Sequence, residues 1–123
     1  MSRTKSIYSV TFNNDCGCWK KSREHNVMFL LAVERYANDL MRSRYLVTPD
    51  GVVCKRGYIL LNEVFEMLGM PLTSIGARVG WLYDEKNPIG DNFVDFDINR
   101  LGINPNVVLD FNVDGDIGDK IVP

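Results

Sequence analysis

Residues Gly57–Asp97 read GYILLNEVFEMLGMPLTSIGARVGWLYDEKNPIGDNFVDFD, and this stretch decides the architecture. Glu63–Leu68 has helical spacing, with Asn62 before it and Gly69 after it. An Asn side chain accepts from free N–H groups at a helix start, and glycine takes the left-handed turn at a helix end. Thr73 or Ser74 caps a second, single-turn helix that stops at Gly80. Trp81–Tyr83 reads as a strand, Asn87-Pro88-Ile89-Gly90 as a turn, and Asn92–Ile98 as a further strand with Val94, Phe96 and Ile98 on one face.

Outward from this core, Val107–Val113 alternates as a strand after the Asn104-Pro105 break. Ser6–Phe12 alternates too, with Tyr8, Val10 and Phe12 facing inward, and Asn13–Gly17 is turn chemistry. Between them Glu24–Arg44 is helical. Met28, Leu31, Ala32, Arg35 and Tyr36, then Leu40 and Met41, form its expected inner stripe, leaving Glu34, Asn38, Asp39 and Arg42 outside. Ser22 is its cap. Tyr45–Thr48 and Val52–Lys55 flank Pro49-Asp50-Gly51 and predict a hairpin. This order predicts an α+β fold: an antiparallel sheet of about five to six strands with one long helix and two short helices packed on it. Residues 1–123 make one domain, with residues 1–5 and 117–123 flexible.

The composition sets bounds on function. The chain has 123 residues, 46% hydrophobic and 24% charged, with a formal net charge of −2. That charge gives no general attraction to nucleic acid or anionic lipid. Lys and Arg gather in the first half and Asp in the last third. The longest apolar run, Val27–Val33, is far too short to span a bilayer, and the first residues lack a signal-peptide core. Three cysteines, an odd number, point to a reducing compartment. The expectation is a cytoplasmic protein with no membrane contact.

The motifs that bear on chemistry have bland readings that fit better. Cys16 and Cys18 with Cys54 and His25 would complete a zinc tetrahedron, but without the usual ligand spacing they read as reduced thiols near a turn. His25 is the only histidine, and no nucleophile elbow or phosphate loop accompanies it. Asp110, Asn112, Asp114 and Asp116 match the start of a calcium loop, yet Ile121 stands where a bidentate Glu is needed. That segment reads as a strand entering an Asp-Gly turn. Asn62–Val79 has the outline of a helix-turn-helix, but its second helix is one turn long with a single cation, Arg78. No catalytic residue, metal or cofactor is assigned.

At GYILLNEVFEMLGMP, VGWLYDEKNPIGDNFVDF and VVLDFNVDG the chain resembles small proteins of unknown function encoded by phages and prophages of Gram-positive gut bacteria. YSVTFNNDCGCW and RYANDLMRSR are similar to that group as well. The Val47–Arg56 hairpin departs from it as an insertion. The resemblance implies an origin and brings no catalytic residues with it. The expected function is therefore non-enzymatic protein binding in the host cell, with inhibition of a defence nuclease such as a CRISPR effector through an acidic surface. Asp84, Glu85, Asp91, Asp95, Asp97, Asp114, Asp116 and Asp119 are the expected contacts with a host or phage protein. The alternatives are a self-associating virion or assembly protein, and a DNA-binding regulator using Asn62–Val79.

Overall fold

The computed structural model describes residues 8–44, 46–47, 51, 53–54 and 56–121. The elements run β1 (Val10–Phe12), α1 (Arg23–Ser43), β2 (Leu46–Val47), β3 (Val53–Cys54), β4 (Arg56–Leu60), α2 (Leu61–Leu68), a 3-10 turn (Ile75–Ala77), β5 (Val79–Asp84), β6 (Val107–Leu109) and β7 (Gly115–Asp116). The fold is mixed α and β, and every described strand pairing is antiparallel. The hairpin pairs Leu46 with Cys54 and Val47 with Val53. Gly51 of the expected turn takes a φ of 86°, while residues 45, 48–50, 52 and 55 of that hairpin, and residues 1–7, lie outside the described residues. Of the tail, Ile117 is buried and its N–H donates to Arg78 O at 2.8 Å.

Among the described residues the strands do not merge into the single expected sheet of five to six, but form three groups: β1–β6, β2–β3 and β4–β5–β7. The break falls at residues 92–98, which run without regular strand pairing. Side chains replace the missing ladder there. Asn38 of α1 accepts from Val94 N at 2.7 Å and donates to Val94 O at 3.0 Å, and Glu34 Oε2 accepts from Phe96 N at 2.8 Å. From elsewhere in the chain, Asp110 N donates to Phe96 O at 3.0 Å and Asn112 Oδ1 accepts from Asp95 N at 2.7 Å. Backbone groups of this segment are thus met partly by a helix and an asparagine side chain and partly by the backbone of residues 110–112, where Asn112 N also donates to Asp95 O at 3.2 Å, rather than by a regular ladder. A strand was also missed: Arg56–Leu60 pairs with β5 over five residues, from Arg56↔Asp84 to Leu60↔Gly80.

The inner face of α1 differs from expectation. Ser22 caps the helix by accepting from His25 N, as its position implied. The buried residues, however, are Asn26, Val27, Leu30, Val33, Ala37 and Met41. Met28 is 65% exposed and Tyr36 58%. This helix carries apolar residues on two faces, and periodicity alone does not say which one packs. The face that packs is flanked by Glu34 and Asn38, whose bonds to residues 94–96 fix the choice.

At its far end α1 is clipped to β4 and α2. Arg44 binds both carboxylate oxygens of Glu63, Nη1 at 2.9 Å from Oε1, donates to Tyr58 O at 3.2 Å and lies over the Tyr58 ring. Glu63 also accepts from Leu60 N at 3.0 Å, so Leu60, not Asn62, is the cap position of α2. Burial pushes the Glu63 carboxyl up, but its bonds to Arg44 and Leu60 N–H outweigh this and hold it below the ordinary range. Asn62 instead braces the 3-10 turn, bonding Thr73 N at 2.9 Å and Thr73 O at 2.8 Å. α2 ends at Gly69 as expected.

Phe111 sits centrally in the core. Phe65, Trp81 and Phe96 meet it edge-on with ring centroids 6.0, 6.1 and 5.3 Å away, the geometry that aromatic quadrupoles favour. At the other end of α1, Arg23 donates to three carbonyls, Asn99, Asn104 and Asn106, at 2.6–2.8 Å. Asn26 adds a bond to Pro105 O. These hold the loop at residues 99–106, where Leu101 is 80% and Ile103 95% exposed.

Candidate functional site

The expected acidic contacts fall into three places, which the chain reaches by different means. The first is the loop after β5. Asp84 Oδ1 accepts from Lys86 N and Asn87 N at 3.1 Å, which turns the chain out of the strand. Asn92 turns it back: its side chain accepts from Asp84 N at 3.1 Å and donates to Asp84 O at 2.9 Å, closing the loop as a paired strand residue would. Asn92 has φ of 61°, a conformation Asn tolerates better than most residues. Residues 85–91 are all exposed. They carry Glu85 and Asp91, with Ile89 half exposed and Phe93 43% exposed beside them.

Asp114 lies under this loop. A Cβ placed on Gly90 would fall 1.9 Å from Asp114 Oδ1, so the loop backbone rests directly on that carboxylate. Asp114 Oδ2 accepts from Leu82 N at 2.8 Å. Burial pushes the Asp114 carboxyl above its ordinary range, the Leu82 N–H works against this, and nearby Asp91 adds to the rise.

The second place is the 92–98 segment. Asp95 is half-buried and its Oδ1 accepts from Asp97 N at 2.8 Å, while Asp97 is exposed. Asn112 joins this segment to the loop. It accepts from Trp81 Nε1 and Asp95 N, both at 2.7 Å, and donates to Asp91 Oδ2 at 2.9 Å and Phe93 O at 3.0 Å. The third place is apart from these. Asp116 and Asp119 pair with Arg78 at 3.0 and 3.4 Å. The Gly118 N–H first, then Arg78, hold the Asp116 carboxyl below its ordinary range. The sequence set of eight is thus six carboxylates divided between the loop and the 92–98 segment, which Asn112 joins, and two that share the Arg78 guanidinium.

The other motifs take structural places. Asp110 is buried, Asp114 faces Leu82 N, and Asp116 faces Arg78, so the calcium-loop residues point to different partners. Among the described residues no group of three or more His, Cys, Asp or Glu side chains is arranged to hold a metal ion. Cys16 is buried and Cys18 exposed, both free, and the Cys54 side chain lies outside the described residues. The second half of the helix-turn-helix outline is a three-residue 3-10 turn. Two adjoining grooves of about 360 and 380 Å³ share Val10, Phe65 and Thr73, and among the described residues Asp15 is the only charged one lining them. No described helix is long and apolar enough to cross a membrane.

Sequence reasoning missed Asn92, Asn112, Asn38 and Gly90, which shape the site. Asn is depleted in strands, so an Asn inside the Val107–Val113 alternation was a signal that a side chain stands in for backbone.

The raised carboxyls make a pH prediction. Burial, with Asp95 adding, lifts Glu34 above its ordinary 4.5, while Phe96 N–H and Arg100 oppose the rise. A raised folded-state value means the folded protein holds the proton more tightly than the unfolded one. The stability this linkage contributes is complete below the ordinary value and is lost as pH rises through the raised one. Glu34→Gln and Asp114→Asn keep an acceptor for Phe96 N and Leu82 N. Between about pH 4 and about pH 7 the unfolding midpoint of each variant should rise relative to that of the native chain. Denaturant melts of variant and native chain at the two pH values check this, and an unchanged difference refutes it.

A model of a family of unknown function (DUF6353) matches residues 1–121. No curated protein and no solved structure matches the chain.

Proposed function

From the premise that the chain belongs to this family of unknown function (DUF6353), we propose that it acts by binding another protein, without a reaction of its own. The observation that carries this reading is the closed loop at residues 85–93. It presents Glu85 and Asp91 next to Ile89 and Phe93 on a backbone already fixed by Asn92 and Asp84. Apolar side chains ringed by charge are the usual make-up of a binding patch, and a fixed backbone lowers the entropy lost on docking. The partner is basic. Carboxylates placed where nucleic-acid phosphates normally sit would occupy the positively charged channel of a nuclease such as a CRISPR effector. The resemblance of the sequence to small phage and prophage proteins supports a defence nuclease in the host cytoplasm as that partner.

The test is DNA cleavage by such an effector with added protein. The native chain should inhibit, less so at high salt. Glu85→Lys with Asp91→Lys should weaken inhibition at least about tenfold, since Asn112 keeps Phe93 O as a partner and the fold survives. Equal inhibition by the reversed variant, or none by the native chain, overturns the reading.

A further inference from the structure

We infer that the solvent face of α1 pairs antiparallel with α1 of a second copy of this chain. The inference is independent of the acidic loop. Its starting point is the solvent-facing stripe of the helix: His25, Met28, Ala32, Tyr36, Asp39 and Ser43 are all exposed, with Met28 and Tyr36 more than half so. At about 100° per residue they lie in one stripe centred on Ala32. A large side chain stands one turn before Ala32 and another one turn after it.

That arrangement is self-complementary. A two-fold axis at Ala32, normal to the plane of the two helices, puts alanine against alanine, so the backbones can approach closely. It sets Met28 against Tyr36 of the second copy twice, a thioether-to-aromatic contact. It sets His25 opposite Asp39. Glu24 and Arg42 on one edge follow the same symmetry, while Arg35, exposed on that edge too, faces its own copy across the axis. Glu24 lies about 12 Å to one side of the centre and Arg42 about 15 Å to the other. Both lie on the same edge of the stripe, so Glu24 of each copy meets Arg42 of the other. Antiparallel packing also opposes the two helix dipoles favourably. An unrelated partner would not need a face that reads the same from both ends. A closed two-fold contact does.

Sedimentation of the full chain across the micromolar range tests this. A monomer–dimer equilibrium is expected. Ala32→Glu, on an exposed helical position where Glu is well tolerated, should weaken it about a hundredfold or more, and Met28→Glu should do the same while far-UV circular dichroism stays native. Glu24→Arg should weaken it about tenfold by breaking both symmetric pairs, and Glu24→Arg with Arg42→Glu should restore it. A chain that stays monomeric throughout, a dimer indifferent to Ala32→Glu and Met28→Glu, or a charge swap that fails to rescue, overturns the inference. None of these outcomes bears on nuclease inhibition, so the two readings fail separately.

Discussion

Replacing Asn112 with alanine is expected to destabilise the protein by about 3–4 kcal/mol, because it leaves several polar groups without a partner at once. Trp81 Nε1 loses its acceptor and is attached to a side chain only 1% exposed. Asp95 N loses a 2.7 Å bond, and Asp91 and Phe93 O lose their shared donor. The penalty of an unpaired buried donor is about 1–3 kcal/mol on its own. Thermal unfolding followed by Trp fluorescence measures this, with an expected fall of about 10–15 °C for a domain of this size. Asn112→Asp is the informative companion. It keeps both acceptor roles but loses the donors and sets a second carboxylate beside Asp91, so its loss should be intermediate. A loss below about 1 kcal/mol for the alanine variant would show that the bonds around Asn112 are replaceable by water.

Gly57→Ala should be worse still, with about 4 kcal/mol or more lost and little folded protein recovered. Gly57 is where α1 comes down on β4. The added methyl would fall 1.9 Å from Met41 O, 3.0 Å from Met41 C and 3.3 Å from Arg44 O. All three are backbone atoms, so no rotamer change relieves the clash. α1 would have to lift from β4, and the Arg44 clip to Tyr58 and Glu63 would lift with it. Gly17→Ala is the control, since a Cβ there meets nothing within 4 Å. Circular dichroism and soluble yield distinguish the two. A Gly57→Ala protein that melts like the native one would mean that α1 rides higher over the sheet than this geometry allows.

How far the fold was legible from sequence follows from where each signal resides. The caps and stops of α1 and α2 are local chemistry, and Ser22 and Gly69 were readable because their effect reaches only a few residues. The face of α1 was not readable, because Met28–Ala32–Tyr36 and Val27–Leu30–Val33–Ala37 are equally periodic. What separates them is three bonds from Glu34 and Asn38 to residues about sixty positions away. The sheet was overdrawn for a related reason. Residues 92–98 alternate as a strand should, but alternation reports burial on one side and says nothing of what pairs with the edge. The acidic residues were visible as composition. Their division between a loop, an extended segment and an ion pair with Arg78 was not, because it depends on tertiary neighbours.

The β1–β6 ladder has a kinetic corollary. Ser9 bonds to the carbonyl of Leu109, 100 positions away, and Arg23 reaches carbonyls 76 to 83 positions later. On the ribosome, then, the first strand and the head of the long helix must wait, unpartnered, until most of the remaining polypeptide has emerged. Closing so wide a loop costs entropy before any contact rewards it. The molecule should therefore acquire its native form late and slowly. During synthesis its apolar surfaces would be the natural clients of a chaperone.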